Sequence, residues 1–312
     1  MASSRPFRFG VQHATAPDGP GWVERARQAE DLGYSTLFMP DHFGDQLSPT
    51  VALQAAADAT STLRVGALVY DNDYRHPVVL AKDCATIDLL SGGRLELGLG
   101  AGWMTSDYEQ SGIPLEPAKV RVERMEEAVA VLKGAFGDGP FDHAGTHYTV
   151  TGYDGHPKPA QRPHPPLLIG GGKRRVLSFA ARGAQIVGIN PTIPNGKVDA
   201  DAAVTGTAAA TDEKVGWIRE AAGDRYGDLE LNALHFATII TDDRAGTIEM
   251  MAPLFGIPPE DVEDYPHALI GTVDQICEDL EARRERWDLS YVVVQADAVE
   301  AFAPVVARLA GS

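Results

Sequence analysis

Short apolar runs alternate along this chain with stretches whose apolar positions recur every three or four residues. RFGVQ (8–12), STLFMPD (35–41), RVGALVY (64–70) and LELGLGAG (95–102) read as strands. So do PPLLIGGG (165–172), AQIVGIN (184–190), LELNALHFATII (229–240) and SYVVVQA (290–296). The amphipathic stretches between them read as helices: 21–33, 49–60, 77–93, 121–136, 174–183, 212–222, 272–287 and 298–310, with one or two short ones in 244–264. Val122, Met125, Val129, Leu132 and Phe136 keep helical spacing. Pro77 suits a first helical turn, Gly33 and Gly92–Gly93 suit helix ends, and Thr272 with Gln275 forms a capping box.

About eight βα units follow one another without internal repeats or a dividing linker. Strict alternation implies a parallel sheet. This number of units in this length fits a closed (β/α)8 TIM barrel with loop insertions, an α/β fold, over a single domain 1–312. The irregular segment 137–165, rich in Pro, Gly and His, is an insertion holding a small hairpin around Ala144–Gly145; 191–211 reads as a mobile loop. On a barrel, chemistry belongs where strands run into the following loops.

Composition narrows the function. The 312 residues carry a net charge of −17, which disfavours nucleic acid and anionic membranes as partners. Cys84 and Cys277 fit no metal or redox spacing and read as small core residues on helices. The four histidines of the insertion match no metal template, so no metal is expected. Neither a signal-length apolar segment nor a membrane-length run occurs, and a cytoplasmic protein is expected.

Gly98, Gly100 and Gly102 pose the sharpest question. A dinucleotide-binding turn requires Gly-x-Gly-x-x-Gly after the first strand and a helix opening at once. Here the spacing is Gly-x-Gly-x-Gly, on the fourth strand, with the next clear helix about fifteen residues on. Alternate glycines strip one strand face of side chains, either for a ring lying at a barrel mouth or for tight internal packing.

At this point several segments in the same order, AEDLGYSTLFMPDHF, RHPVVLAKDCATIDLLSGGR, GRLELGLGAGW with DYEQSGIP, and KPAQRPHPPLLIGGG, resemble the luciferase-like (bacterial luciferase) superfamily. The wording is most similar to its deazaflavin (coenzyme F420)-dependent oxidoreductase branch. The resemblance implies a flavin-like ring in a barrel mouth, F420 or alternatively FMN, and a homodimer, common among similar barrels. It implies that Asp41 and His42, at the exit of the second strand, contact the ring, His42 serving as proton donor or orienting group; imidazole ordinarily titrates near neutrality. It places a non-proline cis peptide at Leu68–Val69, beneath the ring.

The remaining candidates follow from position. Gly100, Gly102 and Ser106 would border the cofactor. Gly170, Gly171 and Gly172 with Lys173, Arg174 and Arg175 offer bare amides, a helix start and a basic run to an anionic tail. Trp103 and Tyr108, with Gln12 and His13 at the exit of the first strand, would line a substrate pocket. Sugar-phosphate dehydrogenases of the branch hold an acidic residue where Trp103 stands, so the indole implies an apolar or aromatic substrate. The expected reaction is hydride transfer between reduced deazaflavin and an activated C=C, C=N or C=O. The alternatives are an FMN-dependent monooxygenase using oxygen, and a non-catalytic cofactor-binding barrel.

Overall fold

The computed structural model describes residues 5–197 and 199–312. Residues 1–4 and Val198, which the single-domain and mobile-loop readings include, lie outside the described residues. The strands, in chain order, are β1 (Arg8–Gln12), β2 (Thr36–Met39), β3 (Arg64–Ala67), β4 (Tyr70–Asp71), β5 (Leu95–Gly100), β6 (Phe141–Ala144), β7 (Thr149–Tyr153), β8 (Leu167–Gly171), β9 (Ile186–Ile189), β10 (Glu230–Leu234), β11 (Ala237–Ile240), β12 (Ala268–Gly271) and β13 (Leu289–Gln295). The main sheet runs β3-β2-β1-β13-β10-β9-β8-β5-β4, and β3 pairs again with β5, so the sheet closes as a (β/α)8 barrel. β3 and β4 act as one barrel strand interrupted at Leu68–Val69, whose peptide is cis.

The described residues divide into two compact units, one of residues 5–13, 28–36, 169–197 and 199–312, the other of 14–27 and 37–168. In the first, β1 lies parallel to β13 in register from Arg8–Tyr291 to Gln12–Gln295. Val11, Val293 and Val294 are fully buried, and Tyr291 donates its hydroxyl hydrogen to Thr36 Oγ1 at 2.7 Å. Near-continuous apolar strands of this kind are what a parallel sheet covered by helices requires. In the second unit, helices Pro49–Ala59, Pro77–Leu90 and Ala118–Phe136 bury Leu53, Cys84 and Met125. Cys277 is likewise buried on helix Val273–Trp287, where the Thr272–Gln275 capping box forms.

Four expectations change. The apolar run 229–240 is two strands: it breaks at His235–Phe236, and β11 leaves the barrel to pair in parallel with β12. β12 itself was not legible, being four residues between helices. The 191–211 stretch is not structureless. Asp199 caps a helix, Ala200–Val204, by accepting from the Ala202 amide, and Ala208 opens the next, which runs to Ala222. Finally, a seven-residue helix, Thr105–Ser111, stands where a loop was expected. The hairpin does form, β6 against β7, closed by Gly145 N–H to Tyr148 C=O. Among the described residues no helix is long and apolar enough to cross a membrane.

Candidate active site

The glycine run is explained by close approach of the chain to itself. A Cβ on Gly98 would stand 1.9 Å from the Ala67 carbonyl oxygen, and one on Gly100 would stand 2.5 Å from a Val69 methyl. Gly102 has φ +76°, and a Cβ there would meet the Tyr108 hydroxyl at 1.8 Å. The stripped face of β5 therefore receives the bulge between β3 and β4 and the phenol that supports it. Gly100 and Gly102 are both required for this packing.

Beneath the bulge is a buried polar cluster. Tyr108, on helix Thr105–Ser111, is only 2% exposed. Its hydroxyl lies 3.1 Å from Asp71 Oδ2 and 3.0 Å from Asp73 Oδ2. Asp73 is paired with Arg124, whose Nη2 is 2.8 Å away. Among the described residues Asp71 has no such cation. Burial above all, opposed by the Asp73 amide, pushes its carboxyl up to about 7, with the charges of Asp73 and Asp41 adding to the rise. Arg121 closes the turn by donating to the Gly102 carbonyl at 2.8 Å.

Asp41 and His42, neighbours in sequence, serve different partners. Asp41 is 6% exposed and held by Arg75 in a two-pronged ion pair at 2.5 and 3.0 Å. It also accepts the Asp71 amide at 3.0 Å. Its carboxylate thus holds the frame through Arg75 and the Asp71 amide. The His42 side chain is 24% exposed. Its Nδ1 lies 2.7 Å from Asp107 Oδ2, and its ring meets Trp103 edge to face at 5.5 Å between centroids. Asp107 is the residue that sequence reasoning missed. It is 4% exposed and receives two more donors, the Tyr74 hydroxyl at 3.0 Å on Oδ2 and the Phe43 amide at 3.2 Å on Oδ1. Burial, then the charges of Asp71 and Asp107, raise the Tyr74 phenol, so it stays a donor. Phe43, 47% exposed, covers Tyr74 at 4.5 Å.

The surface left by this arrangement is aromatic with one polar nitrogen. Trp103, Leu68 and Val69 are half-buried and Phe43 is exposed. Ser106 is exposed on its helix. Among the described residues no group of three or more His, Cys, Asp or Glu could hold a metal ion.

The other candidates belong to the first unit. Gln12 and His13 are buried, Gln12 accepting from Gln295 at 3.1 Å. A Cβ on Gly171 would meet a Val176 methyl at 2.6 Å, and one on Gly172 would meet the Thr192 amide nitrogen at 2.7 Å, so both glycines are required for packing. Gly170 precedes them on β8 and is half-buried. Lys173, Arg174 and Arg175 are exposed at the start of helix Arg174–Gly183, Arg174 being paired with Glu220 at 2.8 Å.

A family model described as luciferase-like monooxygenase matches residues 2–305. The chain is 35% identical over 124 residues to an FMNH(2)-dependent dimethylsulfone monooxygenase of Pseudomonas putida, covering 40% of this chain and 34% of that protein. It is 28% identical over 185 residues to an F420-dependent glucose-6-phosphate dehydrogenase of Amycolatopsis mediterranei, covering 56% and 55%. The chain thus spans about a third of the length of the first relative and about half of the second. Its fold is that of a coenzyme F420-dependent tetrahydromethanopterin reductase from Methanopyrus kandleri, with a TM-score of 0.77 at 19% identity, over 97% of this chain and 99% of that one.

Proposed function

The chain belongs to the luciferase-like monooxygenase family, and from that premise we propose that it is a coenzyme F420-dependent oxidoreductase acting on an activated C=C, C=N or C=O of a small organic molecule. The family's enzymes are oxidoreductases, and relatives of this chain are named for both F420 and FMNH(2). The observation that carries the reading is His42, anchored through Nδ1 and lying against Trp103 at a half-open surface.

The residues fit a flat ring with a polar edge. Trp103, Phe43, Leu68 and Val69 supply aromatic and aliphatic surface, and His42 supplies the hydrogen-bonding nitrogen. When bound, a deazaflavin supplies the hydride chemistry; the protein supplies orientation and the proton. His42 Nε2 gives the proton that accompanies reduction of the double bond, or takes it in the reverse direction. The indole of Trp103 favours an apolar or aromatic substrate over a sugar phosphate. In the first unit, Gly170–Gly172 with exposed Lys173 and Arg175 form the proposed anion-binding element, offering amides at a helix start and positive charge.

The test mixes the purified protein separately with reduced F420 and reduced FMN. Tight F420 binding is expected, with substrate-dependent oxidation of the cofactor. His42→Ala should lower kcat roughly 10²- to 10⁴-fold, the ordinary share of acid–base catalysis, with F420 affinity retained. Binding of FMN with rapid oxygen consumption, and none of F420, overturns the cofactor assignment. An unchanged rate in His42→Ala overturns the role of the histidine, and a non-catalytic cofactor-binding protein would turn over with neither cofactor.

A further inference from the structure

We infer that Asp107 is a positioning residue that fixes the tautomer of His42, so that Nε2 alone exchanges protons with whatever is bound. The inference rests on the assignment of His42 as the proton-handling group. A neutral imidazole carries one hydrogen, and the hydrogen bond made by one nitrogen decides which nitrogen holds it. Asp107 offers only acceptor oxygens to Nδ1. The hydrogen therefore sits on Nδ1, and Nε2 keeps its lone pair. When His42 is protonated, the proton to be given away is the one on Nε2, and Nδ1–H stays on Asp107 throughout.

The surroundings make the arrangement one-sided. The Phe43 amide is a backbone donor that cannot rotate, and it holds Oδ1 as an acceptor. Tyr74 holds Oδ2 from the other side while that oxygen faces His42. In Asp107→Asn the amide oxygen must consequently occupy the Oδ1 place, opposite the Phe43 N–H. Its NH2 group then falls against His42 Nδ1. That nitrogen must accept, and the ring hydrogen moves to Nε2. One atom exchanged at constant shape thus inverts the imidazole while leaving the helix Thr105–Ser111 its buried side chain.

The readout is the pair of imidazole 15N resonances of His42, identified by their loss in His42→Gln. In the unaltered protein the neutral ring should show Nδ1–H and a bare Nε2. In Asp107→Asn the two should exchange character, and kcat should fall by about 100-fold or more. F420 affinity should change less than tenfold. Nε2–H in the unaltered protein, or Nδ1–H retained in a folded Asp107→Asn, overturns the inference. The tautomer of the unaltered protein decides the matter even where the variant does not fold. The two ideas fail separately: an active His42→Ala removes the functional reading while the tautomer exchange stands, and an inactive His42→Ala with no exchange removes only the role of Asp107.

Discussion

Each unit of the molecule buries ionisable side chains, and the two treat them in opposite ways. In the first unit, His267, His235 and Arg283 are sealed among one another and Lys214. His267 gives Nδ1–H to the Leu234 carbonyl and makes no hydrogen bond at Nε2. Burial first, then the nearby cations, depresses these bases: His267 to about 3, Arg283 to about 10, and Lys214 to about 8 through burial. In the second unit, the acids have partners of definite geometry, Asp41 with Arg75, Asp73 with Arg124 and Asp107 with three donors. His42, held on Asp107, is half-open. A perturbed pKa by itself therefore does not separate the two: it marks the sealed bases of the first unit and Asp71 in the second alike. What sets the proposed site apart is an accessible imidazole among partnered acids.

The largest effect expected of this contrast is on stability. Removing one member of a buried ion pair strands a charge, so Asp41→Ala should cost about 3 kcal/mol or more by denaturant unfolding. Arg283→Met removes a buried charge that donates to the Ala268 carbonyl at 2.9 Å. It should change stability by less than about 1 kcal/mol in either direction, because relief of desolvation offsets the lost hydrogen bond. Equal losses in the two variants would erase the distinction between paired and sealed groups.

A smaller and more discriminating effect concerns pH. His267 is depressed from 6.5 to about 3, so between these values the unfolded chain binds the extra proton. Its contribution is complete above pH 6.5 and is lost as pH falls through about 3. Asp71 is raised from 3.8 to about 7, so there the folded chain holds the extra proton. Its contribution is complete below pH 3.8 and is lost as pH rises through about 7. Melting curves from pH 3 to 8 should therefore show His267→Phe losing part of the acid-side decline. Asp71→Asn should lose part of the decline toward neutrality, each by about 1 to 3 kcal/mol. Shifts of the same sign in both variants would contradict the two environments. The smallest effect belongs to the exposed pair: Arg174→Ala, which frees Glu220 in solvent, should alter stability by less than about 1 kcal/mol.

The barrel was legible because its strands and helices are long enough to show a period. What escaped reading was too short to have one. Thr105–Ser111 spans two turns, and only its ending, Gly112 in the left-handed conformation with Pro114 beyond, marks it in the sequence. Asp107 escaped with it. Asp41 and His42 were grouped through the family resemblance, and their separate partners, Arg75 for one and Asp107 for the other, were not legible from it. The glycines at 98, 100 and 102 were read as clearing one face, for a ring or for tight packing. What filled it, Val69 and the Tyr108 hydroxyl, depends on contacts across sequence that no spacing encodes.

The close approach along β5 also sets what an engineer could alter. Positions 98, 100 and 102 have no room for even a methyl group, so random substitution across 98–106 would discard most of its members there. Trp103 follows immediately, half-buried against His42, and Ser106 faces solvent. Specificity in such a library would therefore be sought by varying Trp103 together with Phe43 while the three glycines are kept fixed, changing what the surface accepts without touching the frame that carries it.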